Sequence, residues 1–194
     1  TSTSCGDATK DVAVPPHVPA VHSADFLRRG EAAAAARPTL FFFAGNVPES
    51  GEPGFDARDD KRLADEAYSE GVRQLVWKHV RRAPGFKVVA RSPTYMADWG
   101  ESKFCLAPQG VGWGVRLLWA VGGGCVPVLA FSEVSPWFDD VLPYERFAVV
   151  GVPKLALRDL PDRLRALASS ADFGRTRAAL LRARPLLLWP PHGY

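Results

Sequence analysis

The segment from Ser102 to Phe131, SKFCLAPQGVGWGVRLLWAVGGGCVPVLAF, reads as strand, glycine-rich turn, helix, tight turn and second buried strand. A chain in that order folds as a parallel βαβ unit, because two buried parallel strands need a helical crossover between them. The apolar run from Phe104 to Ala107 stops at Pro108. Gln109 to Gly114 then supplies three glycines before a helix that the spacing starts near Val115. Backbone N–H groups at such a helix start face an anion favourably. Arg116 falls in the first turn, where its planar fork can add two charge-assisted hydrogen bonds to a phosphate. The helix closes on Gly122, Gly123 and Gly124, and Cys125 to Phe131 returns as an apolar strand. The same pattern without a ligand is an ordinary core βαβ unit, and spacing alone does not separate the two.

Strand and helix alternate along the rest of the chain. Thr39 to Gly45 is almost wholly apolar, as a strand covered on both faces should be. A polar loop over 46–59 leads to a helix expected from about Asp60 to Arg82. Its stripe of Leu63, Ala67, Val72, Leu75, Val76 and His79 makes His79 a packed helix-edge residue rather than a base. Phe86 to Ala90 is the second strand, a short helix carries Tyr95, Met96 and Trp99, and Phe147 to Val152 supplies a fifth strand. Further helices are expected at about 158–170 and 173–188. This alternation predicts an α/β fold: a Rossmann-like parallel sheet with helices on both faces and ligands at the strands' carboxyl ends. Three loops then converge on one mouth: Gly45 to Asn46, Ser92 to Tyr95, and Gly110 to Arg116. Tyr95 there either stacks a nucleobase or simply packs. Residues 1–37, with their prolines, LeuArgArg stretch and alanine run, read as a linker or inter-lobe segment with little core, and 38–190 as the domain.

At 194 residues and 47% hydrophobic content, the chain can bury one sizeable core. Net charge is only +3 and basic residues are scattered among acidic ones, which argues against a nucleic-acid partner. The arginines at 28–29, 81–82 and 175–184 read as solvated helix faces, the last group with the option of meeting acidic glycans. No uninterrupted apolar run reaches about 18 residues, so this segment is not expected to span or contact a membrane. Cys5, Cys105 and Cys125 lack metal-site spacing. Cys105 and Cys125 fall on strands expected to be close, which leaves a disulfide or two buried thiols open. There is no Asp-x-Asp triplet, and the AspAsp pairs at 59–60 and 139–140 fall in a loop and at a helix start.

The wording of the central segment resembles the C-terminal half of exostosin-type glycosyltransferases, the GT47 family, whose stretch runs roughly SKFCLCPRG, a short turn, then RLxEAxxxGCxPVIxxD. Ser102 to Leu106, Pro108, Gly110, Arg116, Leu117, Ala120, Gly124, Cys125, Pro127 and Val128 stand where that pattern wants them. Thr39 to Gly45, Phe138 to Leu142, Val152 to Leu160 and Asp11 to Pro16 resemble further family phrases in the same order. The likeness covers nearly the whole chain but only the second half of the family's catalytic region.

That resemblance implies one lobe of a two-lobed, GT-B-type enzyme that transfers a sugar from a UDP-sugar to a glycan acceptor. It also implies a missing N-terminal lobe and a membrane-anchored full-length protein working in the Golgi lumen. Arg116 and the helix start would stabilise the diphosphate leaving group, so no metal or other cofactor is expected. Donor contacts are expected from Gly45, Asn46, Ser92, Tyr95, Pro108, Gly110, Gly112, Gly114, Arg116, Ser132 and Glu133. Three departures stand out. Trp119 replaces an acidic residue that commonly holds the donor's ribose hydroxyls, Ser132 replaces an aspartate with Glu133 beside it, and Ala107 replaces a second cysteine. Losing a bidentate carboxylate removes on the order of 2 to 4 kcal/mol of binding. The competing reading is therefore a non-catalytic relative that keeps the fold as a scaffold partner.

Overall fold

The computed structural model describes residues 14–45, 68–108, 114–130 and 136–189. Four strands, β1 (Thr39–Ala44), β2 (Phe86–Val89), β3 (Ser102–Leu106) and β4 (Val126–Val128), form one parallel sheet in the order β2-β1-β3-β4. Around it lie α1 (Ala24–Glu31), α2 (Val72–His79), α3 (Tyr95–Glu101), α4 (Val115–Gly122), α5 (Leu160–Ser169) and α6 (Ala171–Leu187). The α/β, Rossmann-like arrangement expected from the alternation is the one observed. From β1 to β2 the chain steps toward one edge of the sheet, and from β3 to β4 toward the other. Right-handed crossovers therefore put α2 and α4 on opposite faces. The connection direction reverses between β1 and β3, and in open parallel sheets such a switch point, beyond the strands' carboxyl ends, is where ligands bind.

β1 is central, and its Phe41, Phe42 and Phe43 are fully buried. Cys105 of β3 pairs in register with Pro127 of β4, and its sulfur is bonded to Cys125 just before that strand. The alternative of two free thiols is thereby excluded. Both cysteines are fully buried.

Several elements differ from the sequence expectation. Of the helix expected over 60–82, residues 60–67 lie outside the described set, and α2 begins only at Val72. The break has a backbone cause: Ser69, Glu70 and Gly71 all adopt left-handed conformations, with φ of 64°, 51° and 70°, which no α-helix can pass through. The fifth strand shrinks to a single bridge between Val128 and Val149. Gly151, at φ 62°, turns the chain away before a second rung can form.

The segment before β1 is also more than a linker, because Val21 and Phe26 are fully buried in the core. Their seat is Gly122, where a Cβ would come within 2.7 Å of Val21 and 2.9 Å of Phe26. The glycine-rich turn that closes α4 thus serves close packing of α1.

Candidate functional site

The carboxyl end of β1, at the switch point of the sheet, is built from backbone outward. β1 ends at Ala44, and Gly45 follows with its Cα directly beneath the Arg116 guanidinium. A Cβ on Gly45 would lie 2.3 Å from Arg116 Nη2, so any larger residue there would push the guanidinium from this position. Arg116 Nε donates to the Ala44 carbonyl at 3.4 Å, and its Cζ lies 5.5 Å from the centre of the Phe43 ring. These contacts hold a half-buried cation in the first turn of α4, over the end of the central strand.

Gly114 caps that helix in a left-handed conformation, φ 60°, and among the described residues no side-chain cap bonds its first turn. The buried Trp137 ring packs against it, 3.2 Å from where a Cβ would sit. Trp137 thereby fixes the segment after β4 beside the helix start, and sequence reading had not singled it out. Its carbonyl accepts a 2.9 Å hydrogen bond from the buried Tyr144 hydroxyl, whose pKa burial pushes well up.

Tyr95 opens α3 on the same rim. Its ring meets Trp99 and Trp119 edge-on, each with centroids 5.6 Å apart, and Trp119 in turn meets Phe26 edge-on at 5.2 Å. The Tyr95 phenol is pushed up by burial, and the nearby Arg116 charge opposes the shift. A cavity of about 410 Å³ opens beside it between α1 and α3, walled by Phe26, Arg29, Thr94, Tyr95 and Met96 among others.

Ser92 reaches the rim but its hydroxyl is committed. It donates to Asp98 Oδ2 at 2.5 Å, while Lys87 Nζ and Thr94 Oγ1 donate to Oδ1 at 2.6 and 3.0 Å. Asp98 is 3% exposed, and these three donors satisfy a buried carboxylate that would otherwise be costly. The loop from Ser92 to Tyr95 is therefore anchored through Asp98. The i, i+4 spacing of Thr94 and Asp98 is the one local sequence signal of this anchor.

Gly45 lies against Arg116, the Tyr95 phenol is close enough to feel that charge, Gly114 caps the helix that carries it, and Pro108 is buried two residues past β3. Asn46, Gly110, Gly112, Ser132 and Glu133 lie outside the described residues. Among the described residues, no three His, Cys, Asp or Glu side chains gather as a metal set, and no helix is long and apolar enough to cross a membrane.

Comparison with known proteins points the same way. The sequence pattern of the exostosin GT47 domain matches residues 1–167. The chain is similar to a probable glucuronosyltransferase of Oryza sativa subsp. japonica, with 34% identity over 122 residues, 60% of this chain and 26% of that protein. It is likewise similar to a probable beta-1,4-xylosyltransferase of Arabidopsis thaliana, with 31% identity over 125 residues, 63% of this chain and 26% of that protein. A probable glucuronosyltransferase of Physcomitrium patens matches at 31% over 112 residues, 57% of this chain and 22% of that protein. The chain spans about a quarter of the length of these relatives.

Proposed function

This chain belongs to the exostosin GT47 family, and on that premise we propose that it is the donor-binding lobe of a GT-B-type glycosyltransferase. The observation that carries the reading is Arg116, held over Gly45 at the switch point of the sheet and in the first turn of α4. A nucleoside diphosphate placed there meets a guanidinium and a helix N-terminus together. The leaving group of sugar transfer is that diphosphate, so both would stabilise charge that develops in the transition state, without a metal. The cavity beside Tyr95 offers an aromatic wall for a nucleobase. The sugar would come from a UDP-sugar and pass to a glycan acceptor in the Golgi lumen, with the second lobe of the full-length protein supplying the base.

The test is calorimetric titration of the chain with UDP and with UDP-sugars. Saturable binding is expected, weakened about tenfold to a hundredfold by Arg116→Ala, the usual range for one charged hydrogen-bonding partner. A folded chain that ignores millimolar UDP would overturn the reading.

One observation favours the second reading, a non-catalytic relative: Trp119 stands where the family commonly carries a carboxylate. Its ring is packed, however, between Phe26, Tyr95 and Trp99 beneath the rim. Trp119→Glu is accordingly expected to cost about 2–4 kcal/mol of stability through lost packing and to bring no gain in UDP affinity. A gain of about tenfold or more, 1.4 kcal/mol in binding, would favour the degraded-site reading instead.

A further inference from the structure

The cavity of about 410 Å³ on the rim has one continuous wall, the run from Pro93 to Ala97, which faces Phe26 and Arg29 of α1. A single carboxylate holds that run at both ends. Ser92, just before it, donates from its hydroxyl to Oδ2 of Asp98, just after it, at 2.5 Å. Thr94, within the run, donates from its hydroxyl to Asp98 Oδ1 at 3.0 Å, and its carbonyl accepts from the Asp98 amide at 2.9 Å. Tyr95, the aromatic residue of the wall, lies inside this closed ring of bonds.

A second grip comes from the sheet. Lys87 of β2 donates to Asp98 Oδ1 at 2.6 Å and to Thr94 Oγ1 at 3.0 Å. Ser102, which opens β3, donates from its hydroxyl to the Asp98 carbonyl at 2.7 Å. Lys87 is not among the residues that wall the cavity. A buried ion pair is by itself weak evidence for stability, because apolar residues of similar volume often hold a fold as well. What apolar packing does not supply is direction, and charge-assisted bonds of this length fix one conformation of the run they join.

We propose that Asp98 is a positioning residue for the nucleobase: it acts through the wall that it staples, setting Tyr95 at the distance from α1 that admits a base. The inference rests on the donor-lobe reading, which gives the diphosphate to Arg116 and the base to this cavity. Among the described residues, no bond of the Asp98 carboxylate reaches Gly45 or Arg116, which make the phosphate half. Disturbing Asp98 therefore weakens the hold on the base and spares the hold on the phosphates.

Calorimetric titration with UDP and with inorganic pyrophosphate separates the two halves. The unmodified chain is expected to bind UDP about tenfold or more tighter than pyrophosphate, the share of one base against an aromatic wall. Asp98→Asn keeps the size but offers an N–H₂ where a carboxylate oxygen stood, so at least one of the three donors loses its acceptor. It is expected to bring the preference to within about threefold while pyrophosphate affinity stays within about twofold. Lys87→Met, made outside the cavity, is expected to reduce the preference too, and to reduce it no further once Asp98→Asn is present. A merely structural role would lower the melting midpoint of both variants and leave the preference unchanged, and that result overturns the proposal. Should Asp98→Asn fail to fold, Lys87→Met decides alone, since its side chain is 35% exposed and its loss is tolerable. An unchanged preference there overturns this inference and leaves the donor-lobe reading standing. An unmodified chain that binds pyrophosphate and UDP equally removes the base from the cavity and this inference with it, whereas one that binds neither removes the donor-lobe reading as well.

Discussion

Arg37→Met is expected to lower the unfolding free energy by about 3–5 kcal/mol, the range for stripping a buried charged group from its partners. The side chain is 1% exposed and donates four hydrogen bonds, all to backbone carbonyls. Nη1 serves Trp99 and Ser102 at 3.3 and 2.7 Å, and Nη2 serves Gly30 and Gly123, each at 2.9 Å. Those carbonyls belong to α1, α3, the start of β3 and the turn after α4, so one guanidinium ties four elements together. A second buried arginine, Arg177 of α6, shares the Gly30 carbonyl at 2.8 Å and adds that of Gly124 at 3.3 Å.

Burial, with the Arg177 charge as a lesser cause, pulls the Arg37 pKa down to about 9, so the group is still protonated at neutral pH. Methionine fills similar length but donates nothing, and each carbonyl left without a donor costs about 1–3 kcal/mol. Relief of the guanidinium's own desolvation returns part of that sum, which is why the net falls below four full penalties. Urea unfolding reads the difference directly, and Arg37→Lys, with a single ammonium at the end of its stem, should fall between. A methionine variant within about 1 kcal/mol of the parent would show that the clamp is replaceable by packing.

Nothing local announces Arg37. Its carbonyl partners lie 62, 65, 7 and 86 residues away in sequence, and the composition of the segment before β1 is that of a linker. The strands were legible for the opposite reason. Buried parallel strands are near-continuous apolar runs, and β1 and β3 announce themselves without any knowledge of their neighbours. The fifth strand failed on one backbone angle at Gly151, which composition does not encode.

The candidate site divides in the same way. Gly45, Tyr95, Gly114 and Arg116 were legible because a parallel sheet must bring its carboxyl-end loops together. The anchoring of Ser92 by Asp98, and the packing of Trp119 under the rim, depend on side chains from elements whose approach the sequence does not state. The approach of both Arg73 and Arg116 to the Phe43 ring is of the same kind, since it exists only once the sheet has formed.

Reducing the Cys105–Cys125 bond is expected to cost about 3 kcal/mol, the loop-closure value for a crosslink of this span. The two cysteines are 20 residues apart and their Cα atoms 5.8 Å apart. In a domain of this size that loss should lower the melting midpoint by about 6–12 °C. The closed loop contains the end of β3, the glycine turn, Arg116 and all of α4, so the bond restrains the unfolded chain where the proposed donor site must later assemble. Both sulfurs are fully buried, and thiols left there behave as small apolar groups with no unmet polar demand. The reduced chain should therefore still fold, with a smaller margin, and reductant should act on the native protein only as fast as the domain opens. Melts of chain refolded with and without reductant measure the effect. Coincident midpoints would mean that the bond adds nothing the strand pairing does not already secure. A clear difference would show that the fold draws part of its margin from the bond and is less stable wherever the bond is reduced.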